Sequence, residues 1–95
     1  MKSLDWAGKA RDDLAAIDAY WCENAPARAD DILDRIEAAA EFLLGMPHAG
    51  SVLDEGPGRK WSVRSTRYIL VYRIMEDAIQ ILRVHHASRD WPGIE

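Results

Sequence analysis

The chain has only one cysteine, Cys22, and no run of apolar residues long enough to cross a bilayer. A single cysteine cannot form a disulfide within the chain, which excludes the disulfide-stabilised class of small secreted domains. The opening MKSLDWAGKARDD has no apolar stretch of the kind that a secretory signal needs, and no repeat or low-complexity segment follows it. These absences predict a cytoplasmic protein without a membrane segment.

The composition predicts one small folded domain spanning residues 1–95. Of its residues, 48% are hydrophobic and 29% are charged, which is typical of a globular protein and excludes a largely disordered one. A chain of this length buries only about 60 to 65% of the surface that its unfolded form exposes, so its core must be compact.

The charges are divided unevenly along the chain. Residues 1–48 contain five Lys or Arg and ten Asp or Glu, a net charge of −5, whereas residues 59–90 contain seven and three, a net charge of +4. A basic surface attracts phosphate backbones and acidic protein segments alike. The charge distribution therefore predicts an anionic partner for the C-terminal half without choosing between the two.

The N-terminal half predicts a strand followed by two helices. Residues 2–6 are short and apolar at alternate positions, which favours a strand. Apolar residues recur at helical spacing from about Lys9 to Cys22 and again from Pro26 to Gly45, with acidic residues on the opposite sides. Asn24 is a possible cap for the second helix. Because the break between the helices is short, they should form an antiparallel hairpin.

The C-terminal half predicts an antiparallel sheet. Residues 46–58, rich in Gly and Pro, predict a long irregular connection. Three segments rich in Val, Ile, Tyr and Trp follow, separated by polar pairs, which predicts a three-stranded meander. In the last strand, alternation would place Arg83 on the face of Ile79 and Ile81. We therefore expect an α+β fold in which an N-terminal strand and an antiparallel helical hairpin precede a three-stranded antiparallel meander packed on the hairpin.

Two adjacent histidines, His85 and His86, are the first candidates for catalysis, because imidazole titrates near neutral pH. His86, nearer the end of the strand, is the better catalytic candidate. The alternative is that one histidine packs on the sheet and the other caps its end. Neighbouring residues of a strand point to opposite faces, and neither Cys22 nor His48 lies at zinc-ligand spacing, so no metal site is expected.

Arginines on the predicted sheet are candidates for binding an anion. Arg73 and Arg83 fall on strands expected to be neighbours, where their guanidinium groups could jointly hold a phosphate or a carboxylate. Each could instead pair with an acidic residue of the same domain. Arg64 and Arg67 flank a turn, where solvated cations would steer an anionic partner.

The order of these elements carries a family resemblance. Together with WAGKARDDLAAIDAYW, then PHAG at residues 47–50, then RYILVYRI and ILRVHHASRDW, it resembles the RelE/ParE superfamily of type II toxin–antitoxin toxins over nearly the whole chain. Members are small cytoplasmic toxins held inactive by an antitoxin that is encoded beside them and whose C-terminal segment wraps across the toxin. The resemblance implies a cognate antitoxin as partner and no cofactor.

Two mechanisms occur among the proteins that the chain resembles. RelE-like members cut mRNA in the ribosome, whereas ParE-like members poison DNA gyrase. RNA cleavage by a 2′-hydroxyl needs a group that takes its proton, a cation that stabilises the phosphorane and an acid for the leaving oxygen. Lys60 and Arg89 align with two of the nuclease cations. Ser62 and Ile69, however, stand where a lysine and an arginine would be wanted, and no tyrosine follows Arg89.

The ending RVHHASRDW is more similar to ParE-like and plasmid-stabilisation proteins. The resemblance therefore implies a growth-inhibiting gyrase toxin without catalytic residues, with a ribosome-dependent mRNA endonuclease as the alternative. Under the alternative, the candidate catalytic residues are Lys60, Arg73, Arg83, His86 and Arg89. For binding the antitoxin or the target, the candidates are Arg64, Arg67, Arg73, Arg83 and Trp91.

Overall fold

The computed structural model describes residues 2–54, 56 and 58–87, and it confirms the expected α+β architecture. Two helices pack on one face of a five-stranded sheet. The candidates Arg89 and Trp91 lie outside the described residues. The elements are β1 Ser3–Trp6, α1 Gly8–Asn24, α2 Pro26–Gly45, a 3-10 turn Pro47–Ala49, β2 Ser51–Val52, β3 Arg59–Ser62, β4 Tyr68–Ile74 and β5 Ala78–His86.

The strands lie in the order β1-β5-β4-β3-β2. The predicted meander β3-β4-β5 is antiparallel throughout, while β1 lies parallel to the last strand, β5. Parallel neighbours need a long crossover connection, which the meander and the helical hairpin provide between β1 and β5. The N-terminal strand therefore brings the start of α1 next to the end of the chain's last strand.

The hairpin covers the sheet with the apolar stripes that the sequence predicts. Helix α2 buries six residues of its stripe, and α1 buries Ala10 and Ile17 while Leu14 and Trp21 pack half-buried against the same core. The sheet contributes Tyr68, among others, to this core. The six buried residues of α2 are Ala29, Ile32, Ile36, Ala39, Ala40 and Leu43.

The junction between the helices differs from the prediction, because Asn24 does not cap α2. Ala25 occupies the N-cap position, and the Asn24 side chain donates a hydrogen bond to the Tyr20 carbonyl, 2.8 Å away. Pro26 is the first residue of α2 and has no N–H group, so one of the donors that a cap would satisfy is missing from the start. The short junction alone reverses the chain direction.

The connection predicted for residues 46–58 contains regular elements in its described part. It contains the 3-10 turn and β2, which pairs with the first two residues of β3. The fully buried Tyr72 fixes this segment: its hydroxyl donates to the Pro47 carbonyl at 2.6 Å and accepts from the Gly50 N–H at 3.0 Å. Arg59 donates to the Gly50 carbonyl at 2.8 Å. The first part of this connection, residues 47–50, is therefore held against the sheet by hydrogen bonds to one tyrosine and one arginine.

The last strand departs from strict alternation at a β-bulge. Tyr72 lies opposite Ile81 and Val71 lies opposite Arg83, so Leu82 is an extra residue on β5. After the bulge, Val84 takes the buried position on the helix side that alternation would have given to Arg83. The expectation that Arg83 continues the face of Ile79 and Ile81 was therefore wrong.

The environment of Tyr72 predicts a loss of stability at alkaline pH. Burial raises the pKa of Tyr72 above its usual value near 10, although the Gly50 N–H and the Arg59 charge oppose this shift. Because the folded state holds the Tyr72 proton more strongly than the unfolded chain does, the protonated hydroxyl contributes to the free energy of unfolding. This contribution is fully present below the pKa of the unfolded chain, about 10, and is lost as the pH rises through the pKa of the folded state.

We therefore expect the urea midpoint to fall between pH 10 and pH 11.5 more steeply in the wild type than in Tyr72→Phe, which cannot ionise there. The variant should start less stable at pH 7, by about 1 to 2 kcal/mol, because two hydrogen bonds are lost. Equal pH dependence of the two proteins, followed by circular dichroism, would contradict the assignment.

Candidate functional site

A cleft opens between the helical hairpin and one end of the sheet, with a volume of about 750 Å³. We call it the hairpin–sheet cleft. The helices supply one wall, and the β3-β4 turn and the end of β5 supply the other. Its described lining residues are Asp13, Ala16, Ile17, Tyr20, Trp21, Arg28, Ile32, Ser65, Thr66, Arg67, Tyr68, Arg83, Val84, His85 and His86.

One end of the cleft forms where the pairing of β1 with β5 stops. The last paired residues are Trp6 and Ile81, so five residues of β5 continue beyond the neighbouring strand. Asp13, from the second turn of α1, covers the start of this free edge by accepting the Val84 N–H at 2.9 Å. The Asp13 carboxylate thus takes the place of a neighbouring strand, whose carbonyl would otherwise accept a hydrogen bond from this N–H group.

The same carboxylate holds Arg83. The guanidinium donates through Nε to Asp13 Oδ2 at 2.8 Å and through Nη2 to Asp13 Oδ1 at 3.1 Å. The two side chains are 28% and 18% exposed, so water screens this bidentate pair only partly. Asp13 thus joins α1 to β5 through three hydrogen bonds.

Aromatic side chains form the middle of the cleft. Trp21 donates from Nε1 to the Tyr68 hydroxyl at 3.0 Å, and Tyr20 contacts Trp21 edge to face at 5.3 Å. The His86 ring meets Tyr68 edge to face at 5.2 Å. Arg28, from the first turn of α2, lies over the Trp21 ring at 5.5 Å from its centroid, within cation–π range.

The β3-β4 turn places its two arginines differently. Ser65 adopts a left-handed conformation with φ of 63°, and the Thr66 hydroxyl donates to the Val63 carbonyl and accepts the Tyr68 N–H. This tight turn directs Arg67 into the lining of the cleft, while Arg64 is exposed and outside that lining. The expectation that both flank a turn is confirmed.

The four described candidate catalytic residues, Lys60, Arg73, Arg83 and His86, are not all brought together. Arg73 donates to Gln80 Oε1 at 2.7 Å, and Gln80 in turn donates to Asp5. Arg83 is held by Asp13, the kind of acidic partner that the alternative expected, whereas Arg73 binds an amide oxygen; joint binding of an anion by the two arginines stays a prediction. Each has a partner in its own domain, although the extra residue in β5 places Arg83 opposite Val71, on the strand that also carries Arg73.

Lys60 and His86 lie on different elements. Lys60 is exposed on β3 and lies opposite Val71 of β4. Val71 in turn lies opposite Arg83 of β5, so the register places Lys60 and Arg83 in one cross-strand row. His86 lies in the lining of the cleft. Of the candidates for partner binding, only Arg67 and Arg83 among the described residues line the cleft.

Local sequence patterns contain little indication that Asp13, Tyr20 and Arg28 belong to the site. Asp13 stands among several acidic residues of α1, and only the pairing of β1 with β5 distinguishes it from its neighbours. Arg28 reaches Trp21 only because the hairpin brings the two helices side by side. Tyr20, at 55% exposure, carried a weak signal as an apolar residue outside the predicted stripe.

The other chemical groups offer no alternative site. Within the described ranges, no group of three or more His, Cys, Asp or Glu side chains could hold a metal ion. None of the described helices is long and apolar enough to cross a membrane. Cys22 is exposed, and the hydrogen bond to the Asp18 carboxylate raises the pKa of its thiol, with slight desolvation and the acidic residues nearby adding to the effect. That shift opposes a reactive thiolate.

Comparisons with known proteins connect this fold to toxins. A family model for the ParE toxin of the type II toxin–antitoxin system parDE matches residues 4–91. The chain is 34% identical over 101 residues to Y4kP of Sinorhizobium fredii (strain NBRC 101917 / NGR234), covering 98% of this chain and 96% of that protein. It is 31% identical over 88 residues to the toxin RelE3 of Caulobacter vibrioides, covering 92% and 96%.

Solved structures share the fold. A chain of the chromosomal ParDE TA system from P. aeruginosa matches with a TM-score of 0.82 at 24% identity, covering 93% of this chain and 98% of that one. A chain of the intact E. coli RelBE toxin–antitoxin complex matches with a TM-score of 0.65 at 18% identity, covering 94% and 100%. The fold and the sequence matches define a type II toxin of the RelE/ParE superfamily. Within that superfamily, the chain belongs to the ParE toxin family.

Proposed function

We propose that this toxin inhibits DNA gyrase and that a cognate antitoxin neutralises it. One observation carries the choice of gyrase over mRNA cleavage. Ser62 and Ile69, which stand where a nuclease would have a lysine and an arginine, lie directly opposite each other on β3 and β4. The two positions at which the chain differs from a nuclease therefore fall on one small area of the sheet. This area carries a hydroxyl and an alkyl group in place of two cations.

The absence of two cations from that area weakens the case for RNA cleavage. A pentacovalent phosphorane is stabilised by cations held within hydrogen-bond distance of its oxygens, and each such donor lowers the barrier by about 3 kcal/mol. Arg73 and Arg83 do not compensate, because both are engaged by other residues of the domain. Lys60 alone is a poor substitute for a set of catalytic cations.

Under this proposal the protein has no chemistry of its own and needs no cofactor. It binds the topoisomerase and holds it in the state in which DNA is cleaved, so that the enzyme's own activity causes the damage. Such a toxin acts in the cytoplasm, and its pairing with an antitoxin can stabilise a plasmid. The ParE family match supports the antitoxin partner.

A purified system tests the gyrase proposal. We expect that adding the toxin to gyrase, ATP and negatively supercoiled plasmid will cause linear DNA to accumulate after detergent and protease treatment. Reactions without gyrase, and reactions in which the toxin has first been mixed with its antitoxin, should show none. No linear DNA and unchanged supercoiling at a large molar excess of toxin would contradict the proposal.

The alternative, a ribosome-dependent mRNA endonuclease, is favoured by one observation. Lys60 and Arg83 lie in the same cross-strand row, two cations separated by Val71. Two Caulobacter vibrioides relatives, at 31% and 27% identity, are also named as RelE toxins. In a purified translation system, cleavage of mRNA only when ribosomes are present, abolished in Arg89→Ala or His86→Ala, would establish this alternative in place of gyrase inhibition.

A further inference from the structure

The face of the sheet that is turned away from the helical hairpin, which we call the open face, carries a separate group of cations. Side chains alternate along the strands, so Lys60 of β3 and Arg73 of β4 point to this face, whereas Tyr72 points to the hairpin. Lys60 and Arg73 are exposed, and neither forms an ion pair within the part of the chain that the structure describes. The open face therefore offers cations to an anionic partner.

A chain of hydrogen bonds orients Arg73 on the open face. Gln80 of β5 accepts a hydrogen bond from Arg73 Nε at 2.7 Å and donates from its amide group to Asp5 of β1 at 2.8 Å. Gln80 is uncharged, so Arg73 keeps its positive charge, and a guanidinium has more N–H donors than this one bond uses. A side chain that is already oriented loses less entropy when it binds a phosphate.

The spacing of the two cations fits a nucleic acid backbone. Lys60 lies opposite Val71, and Arg73 is two residues further along β4, so the two cations are diagonal neighbours with Cβ atoms about 7 Å apart. Each strand of DNA carries one negative charge per about 3.4 Å of helix axis. Lys60 and Arg73 can therefore bind neighbouring phosphates of one strand.

Binding of a phosphate at this place does not provide for its cleavage. Arg73 lies four residues along β4 from Ile69, a distance of about 13 Å, and Gln80 holds it there. It therefore does not supply the charge that is missing at Ser62 and Ile69. DNA also has no 2′-hydroxyl that could attack its own backbone. The open face thus fits a DNA backbone that is bound without being cut by the toxin.

The two sides of the molecule differ in charge. Residues 8–45, which form the helical hairpin, contain four Lys or Arg and nine Asp or Glu, a net charge of −5. The strands place Lys60 and Arg73 on the open face with one carboxylate, Asp5, among the residues described. Arg64, exposed just beyond the end of β3, adds a cation at the rim. A polyanion is therefore repelled by the hairpin and attracted to the sheet.

We propose that the open face binds the phosphate backbone of the DNA that gyrase holds, with Lys60 and Arg73 as the contacting cations and Arg64 at the rim. Gyrase supplies that DNA, so the proposal rests on the proposed function. The toxin would then bind the enzyme and its DNA together. A ligand that binds the DNA-bound enzyme more tightly than the free enzyme shifts the population toward the DNA-bound state, which is the state that can be cleaved.

The affinity of the toxin for gyrase with and without DNA tests this contact. The toxin is labelled through Cys22, its single and exposed cysteine, and fluorescence anisotropy is measured with gyrase alone and with gyrase holding a double-stranded DNA fragment. The test variant is Lys60→Glu/Arg73→Glu. The control is Lys9→Glu/Arg35→Glu, which changes the net charge equally at exposed positions of the hairpin. Melting temperatures establish that each protein is folded.

We expect the wild type to bind gyrase about 10-fold more tightly when DNA is present, and the test variant to bind both forms with equal affinity, because like charges then face each other. Affinity for gyrase alone should not change. The control should keep the wild-type preference, and raising the salt concentration from about 0.05 to 0.2 M should weaken that preference. If the test variant does not fold, Lys60→Gln/Arg73→Gln replaces it and should lose most of the preference.

The outcomes separate this contact from the proposed function. If the wild type binds neither form of gyrase, the proposed target itself is wrong. If the wild type generates linear DNA with gyrase but the test variant still prefers the DNA-bound enzyme, the open face does not contact DNA, although gyrase inhibition stands. An equal loss of affinity for both forms would assign the face to the gyrase protein and overturn the proposal. Cleavage of mRNA on ribosomes, lost in the test variant only, would assign it to RNA and overturn it as well.

Discussion

Gly50→Ala is expected to unfold much of the population or to lower the melting temperature by on the order of 15 °C. A Cβ at this position would lie 2.6 Å from the Lys60 carbonyl oxygen and 2.6 Å from the Tyr72 hydroxyl, with the tyrosine ring 2.8 Å away. Neither neighbour can yield cheaply, since one is sheet backbone and the other a fully buried ring.

The size of this effect follows from two losses. Overpacking of a core costs about 1 to 3 kcal/mol, and displacing Tyr72 also breaks its hydrogen bonds with Gly50 and Pro47. A total of about 3 kcal/mol corresponds to about 12 to 24 °C in a domain of this size.

Gly45→Ala is the matched control for Gly50→Ala, because a Cβ at Gly45 meets nothing within 4 Å. The control should melt within a few degrees of the wild type, and thermal unfolding by circular dichroism measures both. Equal melting temperatures for the two variants would show that residues 47–50 are not held against the sheet as described.

Asp13→Ala should lower the free energy of unfolding by about 3 kcal/mol. The variant removes the acceptor of three hydrogen bonds and leaves the Arg83 guanidinium, only 28% exposed, without its carboxylate. Removing one partner of a largely buried pair costs more than the pair itself contributes, because the remaining charge stays desolvated. The amide of Val84 should also exchange with solvent faster than its neighbours in β5.

Asp12→Ala provides the control for Asp13→Ala, as Asp12 is the adjacent carboxylate and is exposed. The free energy of unfolding of Asp12→Ala should differ from that of the wild type by no more than about 0.5 kcal/mol. Urea unfolding of both variants, with hydrogen exchange at Val84, measures the difference. If the two variants lose equal stability, Asp13 does not cover the free edge of β5.

The helical hairpin and the meander could be predicted because their signals are local. Apolar stripes such as that of α2 repeat every three or four residues, and strands such as β4 are runs of β-branched and aromatic residues between polar breaks. The resemblance to the RelE/ParE superfamily rested on the order of these same elements, so the fold and the family could be reached together.

The elements that were missed depend on neighbours distant in sequence. Strand β2 has two residues and no periodicity, and it exists because β3 and the hydroxyl of Tyr72 hold it. The bulge at Leu82 becomes visible only from its register against β4. Local patterns cannot show either feature.

The cleft was predictable only in part. Arg67 and Arg83 could be named from the basic sheet, but Asp13 and Arg28 become site residues only when the N-terminal strand is placed beside β5 and the helices are paired. Arg73, named for the same reason as Arg83, proves to lie in a separate side-chain network with Gln80. A count of charges along the chain does not distinguish a cation that faces a partner from one that is already paired.

The choice between gyrase and the ribosome is most directly tested in growing bacteria. DNA synthesis and protein synthesis are pulse-labelled in the minutes after the chain is induced without its antitoxin. Gyrase inhibition predicts that DNA synthesis stops first and that a DNA-damage response accompanies growth arrest, with co-expression of the antitoxin preventing both. Arrest of protein synthesis first, with DNA synthesis continuing, would contradict the proposal and establish the ribosome as the target.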